Sequence, residues 1–111
     1  MDELSLETIG RDLLAKAAAT TVGRSAQTVY GGTGKSLRQT LMALRAGSGL
    51  AEHENPGEAT LLVLQGRVEL NSGDTTWPGQ AGDLLVIPQA RHSLQALDDS
   101  VVLLTVAKLP E

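Results

Sequence analysis

From Arg24 onward the chain is a succession of short β-rich runs separated by turn residues at close spacing. That pattern suits a sandwich or barrel and does not suit βαβ units. Turns are expected at Gly31-Gly32-Thr33-Gly34, Gly47-Ser48-Gly49, Asn55-Pro56-Gly57, Asn71-Ser72-Gly73-Asp74 and Asp98-Asp99, where Gly, Pro, Asn and Asp supply the dihedral angles and local hydrogen bonds of tight reversals. The strands expected between them are Ala26 to Tyr30, Leu37 to Leu44, Leu50 to Asn55, Ala59 to Leu70, Thr75 to Trp77, Asp83 to Pro88, His92 to Ala96 and Val101 to Leu109. Gly66 interrupts the long fourth run, as a glycine does where a strand bulges or a barrel turns a corner. The final run, Val101-Val102-Leu103-Leu104-Thr105-Val106-Ala107, is apolar on both faces, so something must cover its outside.

One candidate cover precedes the strands. Leu6, Ile9, Leu13 and Ala17 recur at helical spacing between residue 4 and about residue 18, with Ser5 available as N-cap. A second subunit is the other candidate. A chain of 111 residues has the size of a single domain, divided here into a helical segment, 1–22, and a β-barrel domain, 23–111.

Composition removes several functions. The net charge of −4 offers no basic field for a phosphate backbone, so nucleic acid is not an expected partner. There is no cysteine, so a metal would be held by imidazole, carboxylate or amide. No run reaches the roughly 18 apolar residues of a membrane span, and Asp2, Glu3, Asp12 and Lys16 break any signal-peptide pattern. The expected location is cytoplasmic. Trp77 and Tyr30 are the only Trp and Tyr, and Phe is absent, so ligand selectivity would rest on aliphatic shape and a few polar groups.

Two segments carry the chemistry. Gly47-Ser48-Gly49-Leu50-Ala51-Glu52-His53-Glu54-Asn55-Pro56-Gly57-Glu58-Ala59, closing at Gly66, resembles the first cupin motif: Gly, five residues, His-x-His, three or four residues, Glu, six residues, Gly. Gly82-Asp83-Leu84-Leu85-Val86-Ile87-Pro88-Gln89-Ala90-Arg91-His92 resembles the second, with one residue missing before the histidine and Ala90 in place of a glycine. The resemblance spans about Leu37 to Lys108, and both histidines of the chain fall at motif positions. It implies a small single-domain cupin, an all-β double-stranded β-helix (jelly-roll barrel) with one N-terminal α-helix added.

In that family, four motif residues converge in the barrel and bind a divalent metal. Carried over, the positions read His53, Asn55, Ala59 and His92, so two of the four ligands are replaced. Glu58 is the nearest substitute carboxylate, one residue early, and strand alternation would point it out of the pocket unless the Pro56-Gly57 turn absorbs the shift. The possible metal set is therefore His53, His92, Asn55 and Glu58, a degenerate one, for Fe, Mn, Ni or Zn. The alternative is a pair of partly buried, hydrogen-bonded histidines with no metal, still able to orient a ligand or move protons.

Alternation places Ala59, Leu61, Val63, Leu94 and Ala96 toward the pocket, where Leu61 and Val63 serve equally as plain core, and Arg91 is either a rim group for anions or a surface side chain. Gly31-Gly32-Thr33-Gly34-Lys35-Ser36 ends like a phosphate-binding loop, but Val29 stands where its first glycine belongs and a strand follows, so a hairpin turn is expected. The leading functional reading is a small-molecule-binding cupin of unassigned catalytic competence, expected as a homodimer through its apolar outer strands. Its competitors are a metal-dependent dioxygenase or isomerase using His53 and His92, and a non-catalytic regulatory or structural dimer module.

Overall fold

In the computed structural model, which describes residues 3–54 and 57–108, nearly every expected turn joins two antiparallel neighbours or two facing sheets. The elements in chain order are α1 (Leu6–Ala18), β1 (Arg24–Gly31), β2 (Leu37–Leu44), β3 (Gly49–His53), β4 (Glu58–Gln65), β5 (Arg67–Ser72), β6 (Thr75–Gln80), β7 (Leu84–Val86), β8 (His92–Ala96) and β9 (Ser100–Ala107). They form a five-stranded sheet, β1-β2-β9-β4-β7, facing a four-stranded one, β3-β8-β5-β6. All pairings are antiparallel. This is the expected double-stranded β-helix with one helix added. Gly31 to Ser36 is the hairpin turn between β1 and β2, and a strand follows it. Among the described residues no helix is long and apolar enough to cross a membrane.

The single run expected from Ala59 to Leu70 is two strands that lie in different sheets. Gly66, at φ +87°, is the corner between them, and a side chain there would meet the Ser100 hydroxyl and the Asp99 carbonyl. The expected strand ends at Asn55 and Leu109 lie outside the described residues. Strand β6 runs further than expected, through Pro78 and Gly79 to Gln80. It is an edge strand, paired only with β5, so Pro78 costs the sheet no ladder hydrogen bond.

The corner at Gly66 is tied down on its far side. The Arg67 guanidinium grips the Asp98 carboxylate with Nε–Oδ2 2.7 Å and Nη2–Oδ1 3.2 Å. The Ser100 hydroxyl, fully buried, shares its one proton between the carbonyls of Asp98 (2.8 Å) and Arg67 (3.1 Å). The Arg67 hydrogen bond holds the Asp98 carboxyl below its ordinary pKa.

Strand β9 decides the layering. Its inward side chains Val102, Leu104 and Val106 join the core between the sheets, with Leu44, Leu61, Val63, Val68 and Leu70. Its outward side chains Val101 and Leu103 join a second cluster with Leu41, Ala43 and the α1 residues Leu13 and Ala17. The helix is therefore the cover that the two-sided strand requires. Ser5 caps it as expected, its hydroxyl accepting the Thr8 amide at 3.2 Å. Each leucine so buried is worth about 1.5–3 kcal/mol. Helix α1 does not reach the β7 margin of the same face, where Leu84 and Val86 are 59% and 75% exposed.

Two consequences follow for stability. Gly66→Ala should cost clearly more than Gly73→Ala in urea unfolding: both glycines have positive φ, which costs a non-glycine residue about 1–2 kcal/mol, but only position 66 adds a collision, since position 73 opens on empty space. Because Asp98 titrates below its unfolded value, its pairing stabilises the fold above about pH 4 and is lost as pH falls below that. Asp98→Asn should therefore flatten the acid limb of the melting temperature against pH, and an unchanged acid limb would show that the Arg67 pair contributes nothing.

Candidate functional site

A β-bulge sets the site. Leu50 pairs with Leu94 and His53 with His92, so three steps along β3 match two along β8, and Ala51 with Glu52 opposes Ser93 alone. Strict alternation would put Leu50 and His53 on opposite faces. The extra residue cancels that, and both side chains line one cavity. His53 and His92 are then direct cross-strand partners, their rings 4.4 Å apart between centroids and inclined at 60°. His92 is 4% exposed, while His53 is exposed and stands at the mouth.

The two rings are oriented in the same way. The Nδ1 of His53 lies 2.9 Å from the Ala51 carbonyl, and the Nδ1 of His92 lies 2.9 Å from the Ala90 carbonyl. A carbonyl only accepts, so each Nδ1 carries the proton and donates it. In the neutral ring each Nε2 then keeps its lone pair, the arrangement that prepares an imidazole to bind a metal or to accept a ligand proton. Ala90 needs no glycine-like backbone, because among the described residues only glycines have positive φ.

The cavity beyond the rings is about 20 Å³, lined by Met42, Leu50, Leu61, Leu70, Ile87, Leu94 and Leu104 besides the histidines. That is room for about one water molecule. Of the pocket residues expected from the sequence, Leu61 and Leu94 line it; Ala59, Val63 and Ala96 are buried in the same core without lining it. Met42, Leu50, Leu70, Ile87 and Leu104 were not among the expected pocket residues. Met42 and Leu104 lie in runs that are apolar on both faces, so which face was inward depended on the partner layers; Leu50 was hidden by the bulge.

The remaining candidates lie apart. Glu58 is exposed and alternates with buried Ala59 at the start of β4, so it shares the outward face. Asn55 lies outside the described residues. Arg91 is exposed and bonded to Glu52, Nε–Oε1 2.9 Å, and that hydrogen bond raises its pKa further above its ordinary value. The Ser72 hydroxyl donates to the Arg91 carbonyl at 2.8 Å and so fixes the backbone beside His92. Among the described residues no three His, Asp or Glu side chains gather as a metal site. The described donors fit a divalent metal in part: two imidazole nitrogens suit zinc, nickel, iron or manganese, and the carboxylate that completes a facial set does not join them.

Comparison with known proteins bears on the frame that carries this site. No curated protein matches the sequence. Among solved structures, a conserved protein of unknown function from Streptococcus pyogenes superposes with a TM-score of 0.73 at 25% identity, over 83% of this chain and 80% of that one. A cupin superfamily protein from Desulfitobacterium hafniense gives 0.71 at 17% identity, over 78% of each chain. A salicylate 1,2-dioxygenase from Pseudaminobacter salicylatoxidans gives 0.74 at 20% identity, over 88% of this chain but 32% of that one, a likeness of fold alone. The family model of the cupin domain matches residues 40–107, the stretch from β2 to β9 that holds both histidines, and the chain accordingly belongs to the cupin domain family.

Proposed function

We propose that the protein is a small-molecule-binding cupin domain whose functional centre is the His53–His92 pair, a degenerate site that presents two imidazoles to a divalent metal. The observation that supports this is the twin orientation of the rings, each Nδ1–H bonded to the carbonyl two residues back and each Nε2 without a hydrogen-bond partner among the described residues. A metal held by His53 and His92 would supply a Lewis acid with positions left over for a ligand. The protein's own part is to orient two imidazoles, one buried and one at the mouth, in an aliphatic end of the barrel that excludes water from one side. Among the described residues no carboxylate joins the two rings as a general base, so no reaction is assigned.

Adding Zn²⁺ or Ni²⁺ to chelator-treated protein should raise its melting temperature in a saturable way, because a ligand that binds only the folded state stabilises it. The shift should vanish in the His53→Ala, His92→Ala double variant and weaken in each single one. A melting temperature indifferent to every divalent metal tried would sink the metal-holding part of the reading.

We propose further that the chain acts as a homodimer through the face that α1 leaves bare. There Leu84 stands opposite Leu62, and Val86 opposite Thr60, a row without charge on a chain of net charge −4. Light scattering should report a dimer for the natural chain and a monomer for the Leu84→Lys, Val86→Lys variant; a natural chain that is monomeric at high concentration would contradict it.

A further inference from the structure

Five strands facing four cannot cover one another completely. On β1, Arg24 stands opposite Leu44 and Ala26 opposite Met42, so both belong to the inward face. Yet Arg24 and Ala26 are exposed, because the facing sheet ends at β3. The mismatch leaves a side groove of about 220 Å³, with Val22, Ala26, Met42, Leu44 and Leu50 as its apolar lining and Arg24 and Ser25 as its polar one. Only Met42 and Leu50 also line the histidine cavity, so these two side chains are the partition between the groove and His53 and His92.

The partition is built of side chains able to rearrange. Methionine is unbranched, with three rotatable bonds, and refills irregular space with little strain. Leu50 is half-buried and sits at the bulge, where the ladder is already interrupted. Rotation of Met42 would join a space fit for one water to one large enough for a small organic molecule. The groove also carries a charge without a counter-charge: Arg24 donates through Nη1 to the Gly49 carbonyl at 3.3 Å, and among the described residues it forms no ion pair. Its remaining N–H donors are available to a bidentate anion.

We propose that this groove is the ligand-binding half of the site, that it takes a short aliphatic carboxylate, and that Met42 and Leu50 gate its passage to the histidines. The carboxylate pairs with Arg24, and the chain lies over Ala26, Met42 and Leu50. The inference rests on the reading of His53 and His92 as the functional centre for its endpoint, and on the groove alone for its ligand class.

Hexanoate is a suitable probe, titrated into metal-free protein while the methyl signals of Met42 and Leu50 and the ring signals of His92 are followed by NMR. The expected result is a saturable shift of both methyl sets and of the His92 ring, with affinity at least tenfold weaker in Arg24→Gln. Ala26→Trp, at an exposed position on the open side of the groove, should fill it and abolish binding while leaving the melting temperature close to that of the natural chain. Hexanol should bind more weakly than hexanoate.

Absence of any methyl shift, or equal affinity in Arg24→Gln, would overturn the inference. So would methyl shifts produced by dilution instead of by hexanoate, since the groove would then be closed by a second copy of the chain. Movement of the Met42 and Leu50 methyls with a motionless His92 ring would overturn the gated passage. Failure of the metal titration with hexanoate binding intact counts against the metal reading alone, and the reverse counts against this one alone.

Discussion

Burial of β9 on both faces is the constraint from which the rest of the molecule follows. A strand apolar on both sides is stable only between two layers. Here the four-stranded sheet covers Val102 and Val106, and helix α1 covers Val101 and Leu103. With β9 central and paired to β2 and β4, the remaining strands of its sheet can only extend outward, to β1 on one side and β7 on the other. Each margin then has one face beyond the reach of a cover, the outer face at β7 and the inner face at β1. The margin at β7 leaves Leu84 and Val86 bare, and the margin at β1 leaves the groove under Arg24 and Ala26.

The site depends on smaller devices set within that frame. A bulge of one residue in β3 turns His53 inward beside Leu50, and the pairing with β8 brings His92 against it. Two backbone carbonyls, of Ala51 and Ala90, fix both rings in one tautomer. Local backbone thus does the orienting that carboxylates of an outer shell often do in metal sites. What the frame does not supply is space, because leucines, an isoleucine and a methionine fill the barrel nearly to the rings. A closed apolar core stabilises the fold, and a ligand site requires part of it to yield. Met42 is the residue whose shape suits both demands.

Membership of the cupin domain family places the histidines in a known frame without naming a reaction, since chemistry resides in the groups a site presents and not in the barrel. In this chain Ala59 and Asn55 stand at two of the family's ligand positions, and Glu58, one residue away from the first of them, is carried on the outward face. Alternation is unforgiving at such a position, because a shift of one residue moves a side chain through the sheet. The site that results is poorer in charge and more aliphatic than the motif alone suggests.

Much of the architecture was legible in the residues themselves. The turn spacing indicated a barrel, the helical period and Ser5 indicated α1, and the two-sided last strand indicated a cover, because backbone dihedrals, capping and apolar period are local properties. Both histidines were identifiable by their place in two motifs. Tertiary structure alone decided the sheet change at Gly66, where the obstruction is Ser100 and Asp99 from a distant strand. It alone decided that Leu50 faces inward, because a bulge exists only relative to the partner strand. It alone decided that five strands overhang four, which made the groove, because the match between two layers is a property of their assembly and is written in neither layer by itself.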